Sequence, residues 1–448
     1  MGAAVCAPLA RAVTASKPNI VFILTDDLGY GDLRSYGSPI PTPNIDRLAS
    51  EGVRFDQFYA PNAVCSAARA GILTGRYGQR VGVPGVFMPD AQTGLSLSDP
   101  TIAEVLKPAG YTTACIGKWH LGSQQQYMPN ARGFDYFFGL PYSHDMLPLP
   151  LLRNKTIIQN SPSCERLTRT WTDEALRFIN SVHKDPFFLY LAHTAPHLPL
   201  GVSEPFRRKT KMGRYADTVA ELDWSVGQVL DTLAANNLED NTLVMFTSDN
   251  GPWYMGSTGG LSGRKGQTYE GGLRVPMLAR MPGVIPAGSR TKAVATGLDM
   301  IPTFARMAGV APPDAARDGV DIMPLLTGAT NDVERPPFLY FDRNELQCIR
   351  SGDWKLHVAR YNSLPWGPEP VGGRWNLPLL HPELYDLADD PDESSDCAAD
   401  NQDVVDDLQS KIEAALPSFP ADVRNAWRDT QNQKVFDTPS GALPIRST

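Results

Sequence analysis

Cys65 and Arg69 stand in a stretch of small residues whose types and spacing favour anion chemistry. A Pro-Asn turn signal precedes a helix-favouring run that starts at Cys65, and Gly75 ends this run. A cysteine at a helix N-terminus faces unpaired backbone N–H groups and the positive end of the helix dipole, which favour negative charge on its side chain. Arg69, one helical turn later on the same face, adds a cation. A small buried cysteine on a packed helix is the alternative for this pair taken alone.

Acidic and amide side chains follow two buried strands. Asp26 and Asp27 come directly after one apolar run, and Asp249 and Asn250 come after another. Ligands in open α/β sheets bind just beyond the carboxyl ends of the strands, so these side chains indicate a site. If they converge, carboxylates that close need a cation, and all-oxygen ligands select Ca²⁺ or Mg²⁺ over zinc. A helix cap is the alternative role for one such acid.

Further residues that handle anions or protons follow other predicted strands. Lys118 and His120 follow one strand, and His193 and His197 follow another. Imidazole titrates near neutral pH and suits acid–base work, although a hydrogen-bonded structural histidine is the alternative for any of them taken singly. Lys265 lies in a glycine-rich loop, whose backbone either approaches a ligand closely or forms a mobile lid.

Two long signatures in this chain resemble those of the sulfatase family. The first runs from Cys65 through Ala67 and Arg69 into Leu-Thr-Gly-Arg, and the second, GYTTACIGKWHLG, spans residues 110–122. Many members of the family carry proline where this chain has Ala67. The resemblance covers roughly residues 18–391 and is closest to the arylsulfatase A branch, within the alkaline phosphatase superfamily.

The resemblance implies a modified nucleophile and a metal. In the family a maturation enzyme oxidises the cysteine to formylglycine during synthesis. A thiolate that attacked sulfur would leave a thiosulfate that resists hydrolysis, whereas an aldehyde hydrate offers one oxygen for attack and a second that expels sulfate. One divalent metal, usually calcium, is also implied, and the positions that match its ligands are Asp26, Asp27, Cys65, Asp249 and Asn250.

The resemblance also assigns roles to the cations and to one histidine. Arg69 would activate and hold the hydrate together with the metal, and His120 would contact the hydrate and assist sulfate elimination. Lys118 and Lys265 would neutralise charge on the sulfate oxygens, which is the kind of electrostatic preorganisation that usually contributes most to lowering a barrier.

The remaining assigned roles concern the leaving group and substrate binding. His197 would protonate the departing alcohol, unless His193 takes that role and His197 is structural. Ser143 matches a sulfate-contacting serine of the arylsulfatase A branch. His144 and Asp145, beside it, are further candidates for contact with the substrate.

Apolar runs that alternate with segments of helical period predict an α/β fold. We expect a large mixed, mostly parallel sheet flanked by helices, which by the resemblance is alkaline-phosphatase-like. The predicted strands are 19–25, 53–59, 112–117, 186–192, 242–248 and 275–280, and the predicted helices are 42–49 (with Thr42 as N-cap), 101–109, 173–182, 215–233 and 298–308.

The C-terminal region has a different pattern from residue 333 onward. Four short half-buried strands predict a small antiparallel sheet, with a helix over residues 403–416 packed against it. We therefore divide the chain into a tail or signal remnant (1–17), a catalytic α/β domain (18–332) and a smaller α+β domain (333–448).

Composition excludes some classes of partner. The chain of 448 residues has 42% hydrophobic and 20% charged residues, which is ordinary for a soluble globular enzyme. Its net charge of −8 argues against nucleic acid as a partner and requires local cations to attract an anionic substrate. No apolar run approaches the roughly 20 residues of a membrane-spanning helix.

The N-terminus and the cysteines bear on the compartment. Residues 1–15 resemble the end of a secretory signal peptide without its charged region, and a disordered tail is the alternative. We therefore expect a periplasmic, secreted or lysosome-like location, or otherwise the cytoplasm. The six cysteines show no zinc spacing, and Cys164 would pair with Cys348 or Cys397 only in an oxidising compartment.

These observations predict a sulfuric ester hydrolase that acts on a sulfated carbohydrate or an aryl sulfate. The alternatives are a phosphate or phosphonate monoester hydrolase of the same superfamily, and a non-catalytic binder of sulfated glycans in which Cys65 stays unconverted. Specificity would depend on loops such as 149–163, a predicted surface hairpin, and 361–381. Trp366 and Trp375 in the second loop would stack on sugar rings or pack against protein.

Overall fold

The computed structural model describes residues 17–182, 185–313, 318–364, 366–367 and 373–433. The strands within these ranges are β1 (Asn19–Thr25), β2 (Val53–Tyr59), β3 (Thr112–Lys118), β4 (Tyr136–Leu140), β5 (Pro150–Arg153), β6 (Thr156–Asn160), β7 (Phe187–Ala192), β8 (Thr242–Ser248), β9 (Arg274–Arg280), β10 (Ser289–Thr296), β11 (Phe338–Asp342), β12 (Glu345–Ser351), β13 (Trp354–Tyr361) and β14 (Asn376–Asp386).

The α-helices lie mostly between these strands. They are α1 (Pro43–Ser50), α2 (Cys65–Thr74), α3 (Ile102–Leu106), α4 (Leu167–Ser181), α5 (Arg214–Ala235), α6 (Glu270–Leu273), α7 (Met300–Ala308), α8 (Met323–Leu326), α9 (Gln402–Ala415) and α10 (Ala421–Gln431).

The first ten strands form one mixed sheet in the order β10-β2-β9-β8-β1-β7-β3-β4-β5-β6. Strand β1 lies in its interior and pairs in parallel with β7 and β8, and β3 pairs in parallel with β7 and β4. Antiparallel pairing is confined to β9 and to the hairpin β5–β6 at the edge. The predicted mixed, mostly parallel sheet is therefore confirmed, and the carboxyl ends of β1, β3, β7 and β8 share one edge.

Helices cover both faces of this sheet because alternate residues of each central strand enter different cores. Phe22 of β1 packs against Phe304 of α7, with ring centroids 6.0 Å apart, on one face. Val21 belongs to the core on the other face, which also contains Trp171 of α4 and Val226 of α5. Burial on both faces explains why the central strands are continuous apolar runs.

The cap of helix α1 differs from the prediction. Thr42 does not cap the helix with its side chain. Instead Asp223 of α5 accepts hydrogen bonds from the backbone N–H groups of Asn44 and Ile45, both at 2.8 Å. A carboxylate from a distant helix thus satisfies the first N–H groups of α1, which makes the cap a tertiary contact.

A second, four-stranded antiparallel sheet has the order β11-β12-β13-β14, as predicted for the C-terminal region. Leu408 and Ile412 of α9 pack into its core, which also includes Tyr59 and Leu298 from the first sheet region. Helix α10 was not predicted, since it buries little besides Val423 and Thr430 and so lacks a clear apolar stripe. The domain boundary near residue 333 stays a prediction.

Three expectations concern the chain's termini, cysteines and membrane segments. The predicted tail, residues 1–17, lies outside the described residues except for Lys17. The five described cysteines, which include Cys164, Cys348 and Cys397, are all free, so neither of the disulfides considered is formed. Among the described residues, no helix combines the length and the apolar character needed to cross a membrane.

A buried ion cluster, formed by Lys355, His357, Glu393 and Glu270, joins the second sheet to α6. Lys355 Nζ lies 3.1 Å from Glu270 and 2.8 Å from Glu393, and His357 Nε2 lies 2.7 Å from Glu393. Burial would lower the pKa of His357, but Cys348 and Glu393 beside the ring raise this pKa to about 9. The cluster therefore contains a protonated histidine at neutral pH.

We expect His357→Gln to lower the free energy of unfolding by about 1–3 kcal/mol at pH 6. The folded pKa of about 9 lies above the unfolded value of about 6.5, so this stabilisation is complete below pH 6.5 and disappears as the pH rises through 9. Denaturant unfolding at pH 6 and at pH 9.5 measures the difference, and the substitution should cost much less at the higher pH.

The exposed His381 offers a matched control for this measurement. His381→Gln should leave the free energy of unfolding nearly unchanged at both pH values. An equal loss at pH 6 and pH 9.5 in His357→Gln would contradict the charged role of His357.

Candidate active site

Three carboxylates and an amide converge where β1 and β8 end. The two strands pair in parallel up to Thr25 and Ser248, so the residues that follow them emerge together. The N–H of Asp27 donates to Asp249 Oδ1 at 3.2 Å, and Asn250 Nδ2 donates to Asp27 Oδ1 at 2.7 Å. The structure therefore brings together the acids that were predicted to converge.

Each of these carboxylates is paired with a cation from a different segment of the chain. The cations come from α2, from the end of β3 and from the glycine-rich loop. The pairs are Lys118 with Asp26 (2.7 Å), Lys265 with Asp27 (2.8 Å) and Arg69 with Asp249 (2.8 Å). Because all six side chains are at least nine-tenths buried, these pairs are shielded from water.

The carboxylates differ in how well their charge is compensated. Burial would raise the pKa of Asp26, but Lys118, His197 and Arg69 hold this pKa well below its usual range. For Asp249, burial and the charge of Asp26 raise the pKa to about 6 in spite of Arg69. Asp249 would therefore gain more than Asp26 from a further positive charge.

Cys65 begins helix α2 as predicted, and the helix ends at Gly75, which has a φ of 68°. The thiol donates to Asp26 Oδ1 at 3.6 Å. The expectation that its negative charge is favoured was wrong. Burial, together with Asp26 and Asp249, raises the pKa of the thiol to about 12 although Lys118 and Lys265 act in the opposite direction. Desolvation and nearby carboxylates outweigh the partial charge of the helix end.

His120 is buried and lies beside Lys118 and Arg69. Burial and these two cations lower the pKa of His120 well below its usual value, so the ring is neutral. Its Nε2 lies 2.9 Å from the carbonyl oxygen of Phe87, which only accepts, so Nε2 carries the proton. Nδ1 is then unprotonated, and it has no hydrogen-bond partner among the described residues. His120 thus offers a proton acceptor at the site.

The two histidines after β7 have different surroundings. His197 lines the pocket above Cys65, and its Nε2 lies 3.7 Å from Asp27 Oδ2. His193 is fully buried and contacts Ser225 Oγ at 3.2 Å, and burial lowers its pKa to about 3. Of the two assignments left open by the sequence, the structure places His197 next to the substrate space and His193 in the core.

Ser143 and Asp145 line the same pocket, whereas His144 between them does not. His144 Nε2 lies 3.0 Å from the carbonyl oxygen of Pro199, and its ring centroid lies 5.6 Å from that of His197. Burial lowers the pKa of His144 to about 4. The structure thus gives His144 a place behind His197 instead of the predicted contact with the substrate.

The glycine-rich loop, residues 256–272, brings Lys265 to the site. The N–H of Gly266 donates to the carbonyl of Ala63 at 2.8 Å, next to the start of α2. A Cβ at Gly272 would lie 1.9 Å from a backbone carbonyl oxygen of the same loop. Glycine is therefore required here because backbone packs on backbone, and the loop is docked against the site.

The pocket above these residues has a volume of about 1430 Å³. Cys65, His120, His197 and Lys265 line it, while Arg69 and Lys118 lie outside its lining. Its other walls are mainly apolar, with two arginines, and include Pro84, Phe87, Met88, Met146, Leu147, Trp253, Arg343, Trp366 and Arg374.

Trp253 and Arg343 are among the wall residues that the sequence-based predictions did not name. Trp253 follows the strand-end pair Asp249 and Asn250 by three residues, so its position in that loop was a usable signal. Arg343 lies in the turn between β11 and β12, and no sequence feature links this turn to the site. Only the packing of the second sheet against the first shows its place.

The acids can hold a cation. Ligand atoms of Asp26, Asp27, Cys65 and His197 all lie within 4.8 Å of one another. Asn250 Oδ1, at the edge of this group, is buried and has no hydrogen-bond partner among the described residues. A buried carbonyl oxygen without a donor is costly, and a hard cation would satisfy it. The described residues thus provide a possible metal-binding group of two carboxylates, a thiol and an imidazole, next to the amide of Asn250.

Comparison with family models gives matches to two regions of the chain. The model of the family described as Sulfatase matches residues 18–310. A second model, described as N-sulphoglucosamine sulphohydrolase, C-terminal, matches residues 264–418. Together these matches span both sheets and every residue of the site.

Individual proteins agree with these family matches. Arylsulfatase A of Homo sapiens is 37% identical over 427 residues, 86% of this chain and 84% of that protein. N-acetylgalactosamine-6-sulfatase of Rattus norvegicus is 38% identical over 384 residues, 78% of this chain and 73% of that protein. The crystal structure of Ps i-CgsB in complex with k-i-k-neocarrahexaose is 30% identical, has a TM-score of 0.79 and covers 93% of this chain and 98% of that one. The chain therefore belongs to the sulfatase family, in its arylsulfatase A-like branch, and is a sulfate ester hydrolase.

Proposed function

We propose that this sulfatase hydrolyses a sulfate monoester of a carbohydrate, with formylglycine at position 65 and one calcium ion. The observation that carries the proposal is the convergence of three carboxylates and three paired cations around Cys65, which lines the pocket together with Asp27 and Lys265.

Charge balance supports a divalent cation. The carboxylates of Asp26, Asp27 and Asp249 are matched by the three paired cations, so the group as a whole is close to neutral. A neutral site attracts an anionic ester weakly, whereas an added divalent ion leaves two positive charges for the sulfate.

The ligand atoms favour calcium over zinc. Asp26, Asp27, Asp249 and Asn250 would hold the ion through oxygen atoms, and calcium accepts about six to eight such ligands in flexible geometry. When bound, the metal supplies Lewis-acid polarisation of a sulfate oxygen. Lys118 and Lys265, which now pair with acids, would then be able to share their charge with the sulfate.

The state of Cys65 supports its conversion. A thiol whose pKa is raised to about 12 is almost wholly protonated near neutral pH, so Cys65 itself is a poor nucleophile. Formylglycine supplies, as its hydrate, one oxygen that attacks sulfur and another that expels sulfate. His120 Nδ1 would accept the proton that the second oxygen loses as it expels sulfate. Arg69 would stabilise the negative charge on the hydrate.

His197 would hold the proton for the leaving alcohol. It lines the pocket, and its Nε2 lies 3.7 Å from a carboxylate oxygen of Asp27. His144 packs against the ring of His197 and restricts its position. An alcohol with a high pKa needs such a proton donor to depart.

The size and walls of the pocket support a carbohydrate substrate. About 1430 Å³ exceeds the ~300–1,000 Å³ that is usual for a single small ligand, so a simple aryl sulfate would leave much of it empty. Trp253 and Trp366, with ring centroids 6.2 Å apart, offer apolar faces on which a sugar ring can stack. N-acetylgalactosamine-6-sulfatase is a relative whose name refers to a sulfated sugar.

We expect active protein to carry formylglycine at position 65. Peptide mass spectrometry of the segment that spans Cys65 measures the conversion, and turnover of a sulfate ester should rise in proportion to it. Cys65→Ala should fold but lose all turnover. Unmodified cysteine in a fully active preparation would contradict this mechanism.

The converted protein also allows the alternative functions to be separated. Paired sulfate and phosphate esters of the same alcohol should show a clear preference for sulfate. A preference for phosphate would support the phosphohydrolase alternative. Binding of sulfated glycans without turnover, by protein whose Cys65 stays unconverted after expression with a maturation enzyme, would support the binder.

We expect calcium to be essential for both activity and stability. Removal of metal with a chelator should abolish turnover and lower the Tm by about 2–4 °C, because a ligand that binds only the folded state stabilises it. Calcium should restore both, and elemental analysis should find one ion per chain.

Substitutions of acids test where this calcium ion binds. Asp249→Ala should remove the metal, whereas Asp240→Asn, a change at an exposed acid, should not. Full activity of a preparation shown by elemental analysis to contain no metal would contradict the metal site.

We expect the effect of His197→Ala to depend on the leaving group. Turnover of sugar sulfates should fall by about 10²–10⁴-fold, since their alcohols need a proton to depart. Nitrophenyl sulfate should be affected much less, because nitrophenolate departs without one. The exposed His381→Ala serves as the control, and equal losses on both substrates would exclude His197 from the acid role.

A further inference from the structure

The wall of the pocket carries two arginines that no step of the proposed mechanism uses. Arg343 lies in the turn between β11 and β12, and Arg374 lies just before β14. Both line the pocket that has Cys65 and Lys265 at its floor. They belong to the second sheet, whereas the proposed catalytic residues all belong to the first sheet region.

Arg343 is available to a ligand. Its side chain is exposed, and its guanidinium makes no hydrogen bond or ion pair with the described residues. Its backbone is fixed, since Gln79 Nε2 donates to the Arg343 carbonyl at 2.5 Å. A held backbone with an uncommitted guanidinium is the arrangement expected of a residue that binds an anion from outside the protein.

Arg374 is the more rigid of the two. Its Nη2 donates to Asp342 Oδ2 at 3.0 Å, and its guanidinium lies 3.9 Å from the ring centre of Tyr361. Asp342, which also lines the pocket, forms an ion pair with Arg374 and none with Arg343. Among the described residues no carboxylate forms an ion pair with Arg343, although Asp145 also lines the pocket and Glu345 borders the neighbouring groove.

The positive charge is confined to this wall. Arg343 and Arg374 also border a neighbouring groove of about 420 Å³. The rest of that groove contains acids instead of further cations, namely Glu345, Asp422 and Asp429. The two arginines therefore lie between two cavities and are not the edge of a wide basic patch.

We propose that the substrate carries a second anionic group, a sulfate or a carboxylate near the scissile sulfate, and that Arg343 and Arg374 bind it. This inference rests on the proposed carbohydrate substrate, and it names the class: a sugar with two anionic groups. The planar guanidinium suits both groups, because each presents oxygen atoms that accept paired N–H bonds. Trp366, which is 58% exposed and lines the same pocket, would support the sugar ring between the two anions.

The test measures binding with the full chain carrying Cys65→Ala, so that no ligand is consumed. Isothermal titration calorimetry compares N-acetylgalactosamine 6-sulfate with its 4,6-disulfate and with the disaccharide that joins the 6-sulfate to glucuronate. D-glucosamine 6-sulfate and D-glucosamine 2-N,6-O-disulfate form a further pair. We expect at least one doubly anionic ligand to bind roughly tenfold more tightly than its singly anionic partner, a difference of about 1.4 kcal/mol.

Substitution of the arginines should remove that preference. In Arg343→Gln the doubly anionic ligand should bind at most about threefold more tightly than its singly anionic partner. In Arg343→Lys part of the tenfold preference should remain. Arg208→Gln is the matched control, because Arg208 is an exposed arginine outside both cavities and its loss changes the net charge equally. The Tm of each variant shows whether the fold is retained. The affinities of Arg374→Gln are included in the comparison only if the Tm shows that this variant folds.

The outcomes are distinct. A preference for the disulfates identifies sulfate as the second group, and a preference for the glucuronate disaccharide identifies carboxylate. The proposal is overturned if no doubly anionic ligand binds more tightly than its partner, or if the preference survives in Arg343→Gln. Failure of the proposed function would appear separately, as converted wild-type protein that binds these ligands but hydrolyses none.

Discussion

The compensation of buried carboxylates by cations from distant parts of the chain is the constraint on which the rest of this structure depends. Loss of one partner from a buried ion pair costs about 3–5 kcal/mol, so Asp26, Asp27 and Asp249 cannot be left unmatched in the folded protein. Their partners come from α2, β3 and the glycine-rich loop. The folded chain must therefore bring three elements together at one point. These are the ends of the central strands, helix α2 with Cys65, and the glycine-rich loop.

The same charges decide which chemistry is possible there. Burial, together with the carboxylates close to Cys65, raises the pKa of its thiol, so the environment that suits a metal does not suit a thiolate nucleophile. Burial and the neighbouring cations lower the pKa of His120 and keep its ring neutral. Desolvation and one set of fixed charges thus account for an unreactive cysteine and an unprotonated histidine in the same pocket.

The second sheet contributes to the site in two ways. Lys355 and Glu393 of the buried ion cluster hold Glu270, which begins the short helix after the loop that carries Lys265. Arg343 and Arg374, from the same sheet, form part of the pocket wall. The C-terminal region therefore both anchors a residue at the floor of the pocket and shapes the space above it, and its core includes Tyr59 and Leu298 from the first sheet region.

The sequence by itself determined the buried strands, most of the long helices and the residues whose strand ends form the site. Apolar runs mark strands that are buried on both faces, and parallel strands align their carboxyl ends, so Asp26 and Asp249 had to meet. Tertiary structure alone decided the pKa of Cys65, the different surroundings of His193 and His197, and the position of Arg343. These properties depend on desolvation and on contacts between residues far apart in the chain, and no local pattern of residues encodes either one.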